Sequence, residues 1–313
     1  MKIINDLSNF KSDKTTFVTI GTFDGVHIGH QKVIKDLVKN AIQNNVTSVL
    51  LTFFPHPRMV LNKTSNIKLI NTIDERIQLL KGMGLDVLVV HEFTKEFSKQ
   101  TALNFVKSVL VDKLNISKLI IGYDHQFGQN REGDFEHLKS YGKLLNFNVK
   151  EISKLDIDNF AVSSTLIRKA IKNGNIEKAN NYLGYNYMIT GTVVKGKKLG
   201  QKIGFPTANI QLRETYKLLP KTGAYVVKSE IENQTVFGMM NIGFRPTVSG
   251  ENQTIEIHFF DFNKDLYGTI LQIDVLAYLR DEQKFDSITS LTNQLQKDKQ
   301  NSLEIINGTF FDL

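Results

Sequence analysis

In the first half of the chain, short apolar runs alternate with segments in which apolar side chains recur at helical spacing. A continuous apolar run is typical of a strand buried on both faces, and the helical recurrence is typical of an amphipathic helix. Strands that alternate with helices predict a doubly wound α/β fold with a parallel sheet. The predicted strands are 17–20, 46–54, 85–90 and 119–122, and the predicted helices are 33–42, 74–80 with Asp74 as its cap, 101–114, 135–145 and 166–171.

Beyond Gly184 and Tyr185 the pattern changes to β-prone runs that turns rather than helices separate. Several strands in succession predict an antiparallel barrel or sandwich. We therefore predict two domains, residues 1–184 and 185–313. In the second domain the predicted strands are 187–194, 223–231, 236–242, 254–262 and 269–279, and an amphipathic helix is predicted over 287–300.

Length and composition agree with two ordinary folded domains. The chain has 313 residues, of which 41% are hydrophobic and 23% are charged. It has no cysteine, which excludes disulfides, thiolate catalysis and cysteine-based metal sites. The polar start is unlike a signal peptide, and the apolar runs are too short to span a membrane. We therefore expect a cytoplasmic protein with no membrane partner.

The chain is basic, with a formal net charge of +7 and a pI of about 9.2. Its lysines are spread along the chain rather than gathered in blocks. A positive balance of this kind raises the local concentration of small anionic substrates. It favours nucleotides over a stable nucleic-acid partner.

The stretch TIGTFDGVHIGHQ, residues 19–31, joins a predicted strand to a predicted helix through a glycine-bearing loop. The free N–H groups at a helix start favour an anion, and His27 and His30 lie three residues apart, on one side of that start. An ordinary turn would explain Asp24 and Gly25 alone. Zinc is disfavoured because the stretch lacks cysteine and the H-E-x-x-H pattern. We interpret it as a polyphosphate site.

Residues 163–168, SSTLIR, start another predicted helix. The hydroxyls of Ser163, Ser164 and Thr165 suit an ordinary N-cap. The same geometry also binds phosphate, and Arg168 lies one turn along the helix with a fork of donors. Both interpretations stay open on the sequence alone.

Residues 191–209 form a stretch dense in glycine and lysine. A flexible surface loop is the ordinary interpretation. Glycine also allows a backbone to approach phosphate closely, and Lys197 and Lys198 supply positive charge. A second phosphate site is therefore a candidate here.

These motifs together carry a resemblance to a known family. GTFDGVHIGH resembles the signature of the HxGH nucleotidyltransferases, and in its full length that of bacterial bifunctional riboflavin kinase/FAD synthetases. VSSTLIR, GFPTAN and NIGFRPT are similar to further motifs of that family, in the same order along nearly the whole chain. The resemblance implies an N-terminal nucleotidyltransferase domain and a C-terminal riboflavin kinase β-barrel with a terminal helix.

The resemblance also implies where ATP is bound. His27, His30 and Arg168 would stabilise charge on the transferred and leaving phosphates. In the first domain the implied ATP-binding residues are Gly21, Thr22, Phe23, Asp24, Gly29, Ser163, Ser164 and Thr165. In the second domain they are Gly196, Lys197, Gly200, Gly204, Pro206, Thr207 and Asn209.

For the kinase reaction, the resemblance implies that Thr207 and Asn209 bind Mg²⁺ together with ATP. Their neutral oxygens suit Mg²⁺ when phosphate oxygens and water complete its coordination. Strand alternation puts Glu256 and His258 on one face, where Glu256 could simply face solvent. The resemblance makes Glu256 the general base.

The flavin-binding residues are implied in the same way. They lie in TFFPHP, YDHQFG and RDEQKF. The chain departs from the family pattern at His125, where the family commonly has phenylalanine, and at Gln201, where it usually has arginine. The implied flavin-binding residues are Phe54, His56, Pro57, Asp124, Phe127, Arg280 and Phe285.

The expected activity is bifunctional: riboflavin is phosphorylated to FMN, and FMN is adenylylated to FAD with release of pyrophosphate. The expected partners are riboflavin, FMN and ATP, and the expected assembly is a monomer or weak homo-oligomer. Three alternatives stay open. They are a flavin-binding regulatory protein that has lost one activity, an enzyme with FAD synthetase activity only, and an HxGH nucleotidyltransferase for another phosphate.

Overall fold

The computed structural model describes residues 1–62, 66–122, 127–128, 132–152, 162–196, 198–247 and 250–310. The chain forms two units, Met1–Ser164 and Thr165–Leu313. The domain boundary at residues 184 and 185 rests on the sequence pattern and stays a prediction.

A parallel sheet forms the centre of the first unit. Its strands are β1 (Lys2–Ile4), β2 (Thr16–Ile20), β3 (Thr47–Phe53), β4 (Val87–His91), β5 (Ile116–Gly122) and β6 (Asn148–Ile152). Within the described residues the strand order is β1-β4-β3-β2-β5-β6, and each pair is parallel. The order reverses at β2, because β3 lies on one side of it and β5 on the other. In open sheets of this kind ligands bind beyond the carboxyl ends of the strands at such a reversal, and the candidate phosphate loop leaves β2 there.

Both faces of this sheet are buried, as the continuous apolar runs predict. Val18 and Leu51 are fully buried on one face, in a cluster with Phe105. Leu50 is fully buried on the other face, in a cluster with Ile34. Consecutive residues of one strand therefore pack against different helical layers, which is typical of parallel α/β sheets. The predicted doubly wound fold is confirmed.

The helices of the first unit begin at capping side chains. They are α1 (Ile28–Gln43), α2 (Pro57–Leu61), α3 (Ile73–Lys81), α4 (Ala102–Phe105), which continues as a π-helical turn (Val106–Val111), and α5 (Phe135–Leu145). The predicted cap Asp74 is wrong. Thr72 caps α3 instead, in a capping box with Glu75, and Asp74 lies in the first turn. The helix predicted over 101–114 is shorter and changes from α to π geometry at Val106.

The second unit contains a closed antiparallel barrel. Its strands are β7 (Tyr187–Val194), β8 (Ala208–Gln211), β9 (Gly223–Ile231), β10 (Gln234–Thr247), β11 (Gly250–Phe259) and β12 (Ile270–Arg280). Their order within the described residues is β10-β11-β8-β7-β12-β9. A barrel rather than a sandwich is thus confirmed. Sequence patterns missed β8, as they missed β1 and β6, because these strands are short and partly polar.

The helices of the second unit are α6 (Ser164–Lys172, which begins on the last residue of the first unit), α7 (Ile176–Leu183), α8 (Leu199–Lys202) and α9 (Ile288–Phe310). The predicted terminal helix is confirmed and extends beyond residue 300. Arg280 at the end of β12 holds α9 through a bidentate ion pair, with Nε and Nη2 donating to the Asp298 carboxylate at 2.9 and 2.6 Å. In the part of the chain that the structure describes, no helix is both long enough and apolar enough to cross a membrane.

We predict that the Arg280–Asp298 ion pair anchors α9 to the end of β12. In Asp298→Ala the Arg280 charge, only 17% exposed, loses its partner. We expect a loss of about 3 kcal/mol in the free energy of unfolding and faster hydrogen exchange in α9. The matched control is Glu232→Ala, which removes the exposed ion pair with Lys264 and should cost at most about 1 kcal/mol. Equal effects of the two changes would show that the pair does not anchor the helix.

Candidate functional site

The loop between β2 and α1 holds the two histidines predicted as catalytic. His27 is the N-cap of α1, and its Nδ1 accepts a hydrogen bond from the backbone N–H of His30 at 3.3 Å. The two rings stack with centroids 3.6 Å apart and an interplanar angle of 18°. Phe23 and Val26 have φ angles of 47° and 33°, which non-glycine residues adopt only where the surroundings fix them. The loop therefore presents both imidazoles at the start of a helix.

His30 is uncharged at neutral pH. Burial, followed by the nearby His27 and the charge of Arg76, lowers the pKa of His30 well below its usual value of 6.5. Its ring lies 4.9 Å from the ring of Phe23, centroid to centroid. Its buried Nδ1 has no hydrogen-bond partner among the described residues. A neutral imidazole can donate or accept one hydrogen bond at each nitrogen, so His30 can bind a phosphate oxygen as a neutral donor.

The other residues of this motif shape the loop. The Thr22 carbonyl accepts a hydrogen bond from Thr52 Oγ1 at 3.2 Å. A Cβ added at Gly21 would lie 3.1 Å from the Phe23 ring. Gly29 is buried in the first turn of α1. The hydrogen bond from Thr52 joins the loop to β3, and contact of these positions with ATP stays a prediction.

Asp24 is completely buried, and its carboxylate faces the protein. It accepts hydrogen bonds from the backbone N–H groups of Ile70 and Asn71, both at 3.2 Å. Arg76 Nη2 lies 3.9 Å from Asp24 Oδ1. Asp24 thus fixes the side of the loop that faces the protein interior. Arg76 was not singled out in the sequence, because an arginine within a helical pattern gives no sign of being buried.

The predicted phosphate-binding hydroxyls lie on both sides of the boundary between the two units, with Ser163 and Ser164 at the end of the first unit. Ser164 Oγ donates to the backbone carbonyl of Asp24 at 2.8 Å, which joins the start of α6 to the phosphate loop. Ser163 is half-buried. Thr165 is exposed and Arg168 half-buried on α6, and both belong to the second unit. A shared role of these residues in ATP binding stays a prediction.

The predicted flavin residues after β3 lie at the carboxyl end of the sheet. His56 is the N-cap of α2, and its Nδ1 accepts from the backbone N–H of Arg58 at 3.1 Å. Phe54 and Pro57 are half-buried. The ordinary interpretation of this segment, a rigid strand exit, therefore accounts for these contacts, and flavin binding stays a prediction.

Phe127 occupies a core position. Its ring is buried and packs against Phe105 at 6.1 Å, centroid to centroid, and over Gly133, where an added Cβ would lie 2.4 Å from it. Stacking of this ring on a flavin stays a prediction. Asp124 and Lys197, two other predicted ligands, lie outside the described residues.

In the barrel, strand pairing brings the predicted kinase residues together. Glu256 on β11 pairs in register with Asn209 on β8 and with Asn241 on β10. Thr207 Oγ1 donates to Glu256 Oε2 at 3.4 Å. Glu256 therefore lies within a polar row and not alone on a solvent face. Asn241 was not predicted, although its motif was noted, because only strand register shows its proximity.

The loop between β7 and β8 is held against this row. A Cβ at Gly196 would lie 2.2 Å from Asn209 Nδ2, so a larger residue there would displace the Asn209 side chain. Gly204 has a φ of 82°, and the Gly200 carbonyl accepts from Phe205 N at 2.8 Å. Pro206, itself exposed, accepts a hydrogen bond through its carbonyl from His258 Nδ1 at 2.8 Å. The glycine-rich loop is thus fixed by specific contacts.

A cavity of about 270 Å³ opens beside Thr207. It combines apolar and aromatic walls with lysines, which suits a base and phosphates. Sequence reasoning missed its far wall, residues 262–267, because that segment had the composition of an ordinary turn. The main lining residues are Val193, Lys198, Gln201, Phe259, Phe262, Lys264 and Tyr267.

Arg280 and Phe285 follow the end of β12. The guanidinium carbon of Arg280 lies 6.0 Å from the centroid of the Phe285 ring, within cation–π range. Arg280 also donates to Asp298, as described above, so its observed contacts are with the protein. Their predicted contact with flavin stays a prediction.

Comparison with known proteins gives consistent matches over both units. A family model described as FAD synthetase matches residues 9–166, and one described as riboflavin kinase matches residues 183–306. A bifunctional riboflavin kinase/FMN adenylyltransferase of Buchnera aphidicola subsp. Schizaphis graminum is 38% identical over an alignment of 315 positions, which covers 99% of each chain. Its counterpart in Listeria monocytogenes is 37% identical and covers 93% of this chain and 92% of its own.

A solved structure shares the overall fold. A Streptococcus pneumoniae chain described as a macrolide-efflux protein superposes with a TM-score of 0.87 at 31% identity. The match covers 96% of this chain and 97% of that chain.

The lowered pKa of His30 predicts a pH dependence of stability. The His30 side chain binds a proton near pH 6.5 in the unfolded chain but not in the folded one. The contribution of neutral His30 to the free energy of unfolding is therefore fully present above roughly pH 6.5 and is lost as the pH falls below that value. In urea unfolding between roughly pH 5.5 and 7.5, His30→Asn should lose less stability on acidification than wild type. His137→Asn, a change at an exposed histidine, should keep the wild-type slope. An unchanged slope in His30→Asn would contradict the assignment.

Proposed function

Because the chain belongs to the bifunctional riboflavin kinase/FMN adenylyltransferase family, we propose that it makes FAD from riboflavin in two ATP-dependent steps. The second unit phosphorylates riboflavin to FMN, and the first unit adenylylates FMN. The observation that carries this proposal is that each unit brings together some of the residues predicted for one of the two reactions. Thr207, Asn209 and Glu256 meet in the barrel, and His27 and His30 stack at the end of the parallel sheet.

In the kinase step, the 5′-hydroxyl oxygen of riboflavin attacks the γ-phosphorus of ATP. The bond from that phosphorus to the bridging oxygen breaks, and ADP leaves. Glu256 accepts the hydroxyl proton, since a carboxylate placed at the attacking oxygen can act as general base. The contact between Glu256 and Thr207 supports this role, because it places the base beside a predicted phosphate ligand.

The oxygens of Thr207, Asn209 and Glu256 fit a hard cation. We propose that Thr207 and Asn209 hold Mg²⁺ that enters with ATP. When bound, Mg²⁺ neutralises charge on the phosphates. Lys198 and Lys264, which line the adjacent cavity, supply further positive charge for the nucleotide.

In the adenylylation step, a phosphate oxygen of FMN attacks the α-phosphorus of a second ATP. The bond between the α-phosphorus and its bridging oxygen breaks, and pyrophosphate leaves. His27 and His30 stabilise charge on the phosphates by hydrogen bonding, and the N–H groups at the start of α1 favour the same anion. No covalent enzyme intermediate is needed, so positioning supplies most of the catalysis.

The remaining features of the proposal follow from the same assignment. Riboflavin, FMN and ATP are the small-molecule partners, and no stable nucleic-acid or membrane partner is required. We further propose that the protein acts in the cytoplasm as a monomer or weak homo-oligomer.

Two variants should separate the two reactions. His30→Ala should lower FAD formation from FMN by at least about 100-fold and leave FMN formation within about twofold, because His30 lies in the first unit alone. Glu256→Gln should lower FMN formation by about 100-fold or more and leave FAD formation from added FMN unchanged. Time courses with riboflavin or FMN, ATP and Mg²⁺, separated by chromatography, measure both.

Matched controls are His137→Ala and Glu230→Gln, which change exposed side chains of the same types. Both should keep the two activities. Wild-type protein that converts neither flavin would contradict the proposed function. A folded single variant that loses both reactions would contradict the assignment of one reaction to each unit.

A further inference from the structure

Arg76 on α3 is one of the largest side chains that are fully buried in the described part of the chain, with 1% exposure. A charged side chain is almost never buried without a partner, because removing the charge from water is costly. Replacing a buried ion pair by apolar side chains is often neutral or stabilising. Burial of this arginine therefore points to a role beyond stability.

Two contacts of Arg76 lead to the candidate phosphate loop. Its Nη2 lies 3.9 Å from Asp24 Oδ1. Its Nη1 donates to Thr52 Oγ1 at 3.4 Å, and Thr52 Oγ1 donates in turn to the Thr22 carbonyl at 3.2 Å. One guanidinium thus reaches two points of the loop, directly at Asp24 and through Thr52 at Thr22.

This loop needs an external constraint. Asp24 lies between Phe23 and Val26, which both have positive φ angles. Such a conformation costs free energy for side chains of this kind and persists only where neighbours over-determine it. The next residue, His27, caps α1 and stacks on His30. A fixed Asp24 therefore fixes the direction in which both imidazoles point.

We propose that Arg76 is a positioning residue for FMN adenylylation, which acts through Asp24 and Thr52 to hold the loop that presents His27 and His30. The inference rests on the proposed function of the first unit. Asp24 compensates the positive charge of Arg76, so the buried ion pair can hold the loop without leaving an uncompensated charge behind it. The nearness of Arg76 to His30 is consistent with the lowered pKa of that imidazole.

The test compares Arg76→Met, Arg76→Lys and Thr52→Val in the full-length protein. Arg76→Met removes both the positive charge and the planar fork of guanidinium N–H donors. Arg76→Lys keeps the charge but loses the planar fork. Thr52→Val removes the hydrogen bonds of Thr52 to Arg76 Nη1 and to the Thr22 carbonyl, with little change in side-chain volume, and keeps the contact between Arg76 and Asp24. It is therefore the test variant if Arg76→Met does not fold. Arg213→Met, at an 87% exposed arginine, is the matched control.

For Arg76→Met we expect kcat for FAD formation to fall about 100-fold, the cost of a small misplacement of catalytic groups, with KM for FMN within about twofold. Arg76→Lys should recover part of the loss, and Thr52→Val should lower kcat by roughly 10-fold. FMN formation in the same samples should stay at the wild-type rate. A role in folding alone would instead lower both activities, or the yield of folded protein, without a selective fall in kcat.

The outcomes distinguish this inference from the proposed function. Wild-type protein without FAD formation would refute the proposed function itself. Active wild type together with wild-type kcat in folded Arg76→Met or, where that variant does not fold, in Thr52→Val would overturn the positioning role. Loss of both reactions in a folded variant would also overturn it, because the effect would not be confined to the first unit.

Discussion

Strand pairing decides which side chains meet at both candidate sites. In the first unit, β2 lies between β3 and β5, where the strand order reverses. The loop that bears His27 therefore follows β2 at the carboxyl ends of the strands. In the barrel, the register of β11 places Glu256 opposite Asn209 and Asn241. A shift of one residue would turn Glu256 to the other face of the strand. The backbone hydrogen bonds therefore determine which side chains are neighbours at each candidate site.

The two candidate sites meet the same electrostatic demand with different means. Under the proposed function, both bind a polyphosphate. The first unit offers the start of α1, two stacked imidazoles and, behind the loop, the buried Arg76–Asp24 pair. The second unit offers a glycine-rich loop pressed against Asn209, with lysines around the adjacent cavity. Under that proposal, the first site depends on fixed dipoles and neutral donors, and the second on close backbone approach and lysine side chains.

In the first unit, the imidazole of His30 is neutral and the buried guanidinium of Arg76 is charged. His30 is neutral because burial and neighbouring positive groups oppose its protonation. Arg76 stays charged, since a guanidinium cannot lose its proton in a protein, and it needs the Asp24 carboxylate beside it. A neutral donor at the surface of the site and a compensated cation behind it allow phosphate binding without an uncompensated buried charge. The same Asp24 also accepts two backbone N–H groups, so the compensation and the loop geometry come from one side chain.

The sequence by itself determined the fold class and the order of the two activities, and its motifs predicted residues for both sites. Apolar periodicity was sufficient for the four central strands of the parallel sheet, whereas phosphate binding by the motifs around His27 and Thr207 stays a prediction. Short, partly polar strands such as β8 gave no periodic signal, and the capping role of Thr72 was hidden beside Asp74. Only the tertiary structure showed that Arg76 is buried beneath Asp24, that Asn241 lies beside Glu256, and that Arg280 holds α9. These contacts join residues far apart in the chain, and local patterns cannot specify them because burial and register are set by the assembled sheet.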